Sequence, residues 1–145
     1  MSKILACIDF SPLTERIVEE TRRLADAAKS EVLLVSVIGD RPNMPQSVMH
    51  DESLEEEGTK RRKLIKQLMN IRDDMADEGI NCSISTPSGL VADAIAREAS
   101  EFGADYILMG SHGNGAMYHL VVGSVAEGVL KRTGKPVILV PGKAG

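Results

Sequence analysis

Gly110-Ser111-His112-Gly113, followed after nine residues by Gly123-Ser124, carries the clearest chemistry in the chain. It follows the aliphatic run Ile107-Leu108-Met109, so its glycines fall at the end of a buried strand and again at a helix start. Glycine lets main-chain N–H groups approach an anion with no Cβ in the way. A helix beginning at Ser124 would aim its unpaired N–H groups and positive dipole end at the same place. The pattern is that of a phosphate-binding loop and suggests nucleotide binding.

Other chemistry is thinner. His112 is a candidate general base or phosphate donor, but no second His or carboxylate is placed with it in sequence. Ser111 and Ser124 are candidate slow phosphoryl acceptors, although capping and hydrogen bonding are the roles the pattern favours. There is no Gly-Lys-Ser/Thr loop to supply the lysine of ordinary ATPases, and no His/Cys/Asp cluster with metal-ligand spacing. No catalytic residue is assigned; slow ATP hydrolysis or autophosphorylation in the same pocket is the alternative. Cys7 and Cys82 lack CxxC spacing and read as reduced core residues, with a redox pair as the sharper alternative.

Five aliphatic runs must position these groups: Ile4 to Ile8, Val32 to Ile38, Cys82 to Ser85, Tyr106 to Met109, and Val137 to Val140. Between the first two, Leu13, Ile17, Val18, Leu24, Ala25 and Ala28 recur at helical spacing. Leu64, Leu68, Ile71 and Met75 repeat the pattern in a helix from about residue 54 to 78, with Gly79 as its stop. Its charged blocks, Glu55-Glu56-Glu57 and Lys60-Arg61-Arg62-Lys63, read as a solvated face with opposite charges at helical spacing. Val91, Ala94, Ile95 and Phe102 mark a third helix. Val125, Ala126, Val129 and Leu130 mark a fourth that ends near Gly134, where Lys131 and Arg132 complement its C-terminal dipole.

The resulting βαβαβαβαβ order implies an α/β fold, a Rossmann-like open five-stranded parallel sheet with helices on both faces. Two doubly wound orders are common, 2-1-3-4-5 and 3-2-1-4-5. In 3-2-1-4-5 the crevice lies between strands one and four, so Asp9 and Gly110, each just past its strand, face the same ligand. That order uses both chemical signals and is the one we favour. The segment Gly39 to Ser53, with Pro42, Asn43, Met44 and Pro45, is the one long irregular connection: a lid, a partner contact or a plain excursion.

At 145 residues the chain reads as a single domain, 1–145. An apolar fraction of 43% and a charged fraction of 26% are those of a globular protein, and the formal charge of -4 argues against a nucleic-acid surface. Without a signal peptide or a membrane-length apolar run, a cytoplasmic location with no membrane insertion is expected.

With these residues in place, the chain resembles the nucleotide-binding subgroup of the universal stress protein family over essentially its whole length. The likeness runs from Ile4-Leu5-Ala6-Cys7-Ile8-Asp9-Phe10-Ser11 through Leu33-Leu34-Val35-Ser36-Val37 and Met109-Gly110-Ser111-His112-Gly113 to Gly123-Ser124-Val125-Ala126 and Pro136-Val137-Ile138-Leu139-Val140. The family's signature, Gly-x-x-Gly, nine residues, then Gly-Ser or Gly-Thr, is met by Gly110, Gly113, Gly123 and Ser124. The resemblance implies an adenine-nucleotide-binding regulator. Asp9 and the backbone around Cys7 and Ile8 would contact the ribose or adenine side, and Val37 would meet the adenine through its main chain. Met109 and Gly110 would line the ribose and first phosphate, and His112, Gly113, Gly123, Ser124 and Val125 would surround the phosphates. Many relatives carry a basic residue after the second glycine. Here it is Asn114, which leaves ATP, ADP and AMP all open. Magnesium would arrive with the nucleotide, bridged by phosphates and Asp9.

A response-regulator receiver domain is a rival from another class, but it needs an acidic pair and an Asp after strand three, where this chain has Asp9 alone and then Ser85-Thr86-Pro87. An interaction module that has lost its ligand would show a broken glycine signature. Strand five, Val137 to Val140, would be a sheet edge too apolar to leave exposed, so a homodimer pairing these segments is expected, as is common in the family. The protein partner it would regulate is not named by the sequence.

Overall fold

The computed structural model describes residues 2–39, 51–111 and 123–142, with the side chains of 51–57 left aside. The chain order is β1 (Lys3–Cys7), α1 (Thr14–Ala28), β2 (Glu31–Val35), β3 (Ile38–Gly39), α2 (Asp51–Asp77), β4 (Cys82–Ser85), β5 (Ser88–Gly89), α3 (Val91–Phe102), β6 (Tyr106–Gly110), α4 (Ser124–Thr133) and β7 (Val137–Val140). The five-stranded sheet has the order β4-β2-β1-β6-β7 and every pairing in it is parallel. With the two-residue strands β3 and β5 set aside, this is 3-2-1-4-5, the expected order.

Alternation along each strand explains the layers. Ile4, Ala6 and Ile8 join Val32, Leu34, Leu108 and Val140 in one core with Ile17 and Val18 of α1 and Leu68 and Met75 of α2. Leu5, Leu33, Val35, Ile107 and Met109 point the other way, into a core with Ile95 and Ala99 of α3 and Ala126 and Val129 of α4. Helices cover both faces, so β1, β2, β6 and β7 are apolar on both sides and read in sequence as aliphatic runs. The edge strand β4 turns only Cys82 and Ile84 to a core and leaves Ser83 exposed. Gly79 and Gly134, read as helix stops, have φ of +84° and +63°, which glycine adopts without strain.

Three details depart from the sequence reading. The run Val32 to Ile38 is two strands: β2 ends at Val35, and β3 pairs with β5 in a separate two-stranded sheet. Pro87, which lacks an N–H, sits where the β2–β4 ladder would otherwise continue. Helix α2 starts at Asp51, so the last residues of the long connection are helical, while 40–50 lie outside the described residues. Leu130, read as part of the α4 core face, is 46% exposed, and the burial falls on Ala126 and Val129.

Candidate functional site

The register of β1 on β6 sets Ala6 opposite Leu108, so Asp9 and Gly110 both emerge at the C-terminal edge of two adjacent strands. Asp9 is exposed there. Its Oδ1 accepts the Ser11 N–H at 2.9 Å, and Phe10 takes a φ of 56°, so the chain leaves β1 in a tight turn. The Ser11 Oγ then accepts the Leu13 N–H at 3.3 Å, and the Ser11 carbonyl accepts the Thr14 N–H at 3.0 Å, which starts α1. The turn fixes the carboxylate and engages one of its two oxygens.

That early departure of β1 opens the neighbouring strand. The Ile8 N–H donates to the Val35 carbonyl at 2.8 Å, whereas the Ser36 and Ile38 N–H groups donate to the Ser85 and Pro87 carbonyls on the other side, at 3.1 and 2.8 Å. Main-chain groups alternate sides along a strand, so Val37 faces the β1 side, where β1 has already turned away. No hydrogen bond among the described residues engages its N–H or C=O. An open donor and acceptor on one residue at a sheet edge can pair with one edge of a planar heterocycle.

The third component is the start of α4. The Gly123 N–H donates to the Ser111 carbonyl at 2.9 Å, and the Ser111 N–H donates to the Val140 carbonyl at 3.0 Å, so the helix begins on the end of β6. The first intrahelical bond runs from the Glu127 N–H to the Gly123 carbonyl. The N–H groups just before it, with Ser124 and Val125 exposed, form the positive end of the helix dipole. Gly123 is the N-cap and supplies no side chain, which leaves the face of the donors open.

The expected residues therefore divide. Asp9, Val37, Ser124 and Val125 come to this edge with groups available to a ligand, while Gly110 ends β6 beside them and Gly123, its N–H and C=O both engaged, leaves the helix start uncovered. Cys7, Val37 and Met109 pack on the α3/α4 core, while Ile8 is buried in the opposite core, so Ile8 and the nearly buried Met109 can offer a ligand only main-chain atoms. His112, Gly113 and Asn114 lie outside the described residues. Lys131 pairs with Glu127 at 3.2 Å, and Arg132 Nη1 donates to the Gly128 carbonyl at 3.0 Å, which keeps both late in α4 as expected.

Burial disfavours the thiolate form of both cysteines where they stand. Burial pushes the Cys7 thiol up to about 12, with the Asp9 carboxylate adding to the rise, and burial raises Cys82 to about 12 against a lowering by Arg72. They sit two strands and three residues apart, roughly 14 Å, against a disulfide reach of about 7 Å, and pack on opposite faces of the sheet, so the redox pair is excluded. Among the described residues no three His, Cys, Asp or Glu side chains cluster as metal ligands. A depression of about 470 Å³ lined by Arg22, Arg23, Asp26, Glu78 and Ile80 lies at the opposite pole, where α1 and α2 end.

Two features escaped the sequence reading. Arg61, read as part of a solvated face, donates from Nη1 to the Thr86 carbonyl at 3.0 Å and from Nη2 to the Ser88 Oγ at 2.9 Å, tying α2 to the turn that carries β5. Gly128 lies against α3 at Ala92. A glycine inside an otherwise amphipathic helix was the available signal for the second; for Arg61 there was none.

A sequence profile described as the universal stress protein family matches residues 1–141. Universal stress protein MJ0577 of Methanocaldococcus jannaschii is 29% identical over 154 residues, covering 97% of this chain and 95% of that protein. A solved structure of MJ0577, reported as a structure-based assignment of biochemical function, superposes with a TM-score of 0.86 over 99% of this chain and 98% of the other, at 29% identity. A universal stress protein in complex with cAMP aligns with a TM-score of 0.70 at 20% identity, over 96% of each chain. The universal stress protein from Archaeoglobus fulgidus in complex with dAMP aligns with a TM-score of 0.63 at 22% identity, again over 96% of each. The last two share the fold with this chain.

Proposed function

The chain belongs to the universal stress protein family, and on that premise we propose that it binds an adenine nucleotide at the C-terminal edge of its sheet and regulates a partner through occupancy of that site. The observation that carries this reading is the convergence of three complementary groups at one edge: the open Val37 N–H and C=O, the Asp9 carboxylate and the start of α4. Val37 would pair with the adenine edge, Asp9 would accept from ribose hydroxyls, and the Gly123-Ser124-Val125 start with the Ser124 hydroxyl would hold phosphate. Cys7, Ile8, Met109 and Gly110 would line the path between them, and His112 and Gly113 would complete the phosphate end. That fold relatives are captured with cAMP and dAMP supports adenylate as the ligand class.

ATP, ADP and AMP all fit this division of labour. Magnesium would enter with the phosphates, with Asp9 as its protein carboxylate. We read residues 1–145 as one cytoplasmic domain. Among the described residues no helix is long and apolar enough to cross a membrane. Among the described residues strand β7 ends the sheet with one side unpaired, and its apolar run favours a homodimer made by pairing two copies of Val137–Val140.

The test is to denature freshly purified protein, identify released nucleotide by mass spectrometry, and titrate ATP, ADP and AMP calorimetrically. A co-purified adenine nucleotide or saturable binding of one of the three is expected. Absence of both would overturn the reading.

A further inference from the structure

Gly128 occupies the second turn of α4, where glycine weakens a helix relative to alanine. Its backbone does not demand glycine, since no positive φ occurs there. The neighbour does. A Cβ at Gly128 would stand 2.9 Å from the Ala92 Cβ of α3, well inside the ~3.5 to 4.0 Å of ordinary carbon contact.

Arg132 closes the same crossing one turn later. Its Nε donates to the Asp93 carboxylate in the first turn of α3, while its Nη1 bonds the Gly128 carbonyl. The start of α4 is thus fixed from two sides, by the Gly123–Ser111 bond on β6 and by the α3 crossing at Gly128. Gly128 is about 6 Å along the helix from Ser124. A Cβ there must displace the crossing by nearly 1 Å to reach normal contact, and a stiff helix passes that displacement to its terminal N–H groups.

We propose that Gly128 is a positioning residue: its missing side chain, seated on Ala92 and locked by the Arg132–Asp93 pair, sets where the α4 donors meet the phosphate chain of an adenine nucleotide. The inference rests on the nucleotide-binding reading above. It separates the two ends of the site, because Asp9 and Val37 follow β1 and β2, whose places are set by the parallel ladder, while the phosphate donors ride on α4 itself.

Titration of ATP and of adenosine against the parent protein, G128A and the double variant A92G/G128A tests this. G128A should lose about tenfold in ATP affinity, the worth of one charge-assisted hydrogen bond, and keep adenosine affinity within about twofold. The double variant, which removes the opposing Cβ, should recover ATP affinity. A merely structural role would lower the thermal midpoint and weaken both ligands alike. Unchanged ATP affinity in G128A, equal loss of adenosine, or no recovery in the double variant would overturn the inference. Should G128A fail to fold, R132Q carries the same test, with an ATP-selective loss expected and an equal or absent loss overturning it. A parent protein that binds neither ligand would defeat the nucleotide reading, and this inference with it.

Discussion

The Gly123 N–H and the Ser111 carbonyl, twelve positions apart in sequence, meet at 2.9 Å and place the first turn of α4 on the end of β6. Through this bond the two halves of the glycine signature become one surface. The N-cap stands beside the donors that a phosphate would approach on the proposed reading, so a side chain at Gly123 is expected to hinder the ligand and not the fold.

Gly123→Val tests that surface. Gly123 has φ -59° and ψ 152°, a conformation open to any L residue, so the thermal midpoint should stay within about 3 °C. ATP affinity should fall about tenfold or more as the new side chain covers the helix start. Calorimetry and thermal unfolding on the same samples read both quantities.

Asp9→Ala should act at the other end. It removes the carboxylate and the acceptor that fixes the Ser11 N–H. In magnesium-free buffer, adenosine and ATP should weaken by the same factor, about tenfold, since a ribose contact is common to both. Asp9→Asn keeps an oxygen for the turn and should retain the thermal midpoint while still binding both ligands less tightly.

Arg61→Met should cost about 1 to 2 kcal/mol of stability, because the Thr86 carbonyl and Ser88 hydroxyl lose a shared cationic donor while the helix keeps a side chain of similar reach. Urea unfolding with an unchanged slope would report this loss. No change in midpoint would show the tie to be energetically idle.

The cysteines give a pH dependence with a definite sign. Both thiols are raised from 9.0 to about 12 in the folded chain. Their contribution to stability is therefore full below about pH 9 and is lost as pH climbs toward 12, because the unfolded chain releases those protons first. Stability should fall over that window, and Cys7→Ser with Cys82→Ser should flatten the fall. Both thiols should react slowly with iodoacetamide at pH 8, since little thiolate is present.

Much of the fold was legible because its signals are local. The aliphatic runs mark the five main strands, and the strand order followed from requiring Asp9 and Gly110 to share a crevice, which the β1–β6 pairing bears out. What escaped was set by tertiary partners. Nothing within Val32 to Ile38 says that the strand breaks, because part of the reason is Pro87 on another segment. Leu130 has helical spacing but is not covered by any of the described residues, and Arg61 differs from its basic neighbours only in facing the β4–β5 turn. At the candidate site, the types of Asp9, Gly123 and Ser124 were readable. The main-chain role of Val37 came only with the family resemblance, since the opening at that residue depends on where β1 turns away.

Amide chemical-shift mapping of the 15N-labelled protein during an ATP titration tests the central claim most directly. The account predicts saturable shifts concentrated at Val37, Gly110, Ser124 and Val125, with Arg22, Asp26 and Ile80 at the opposite pole unmoved. An unchanged spectrum at millimolar ATP, or shifts centred on the opposite pole, would contradict it.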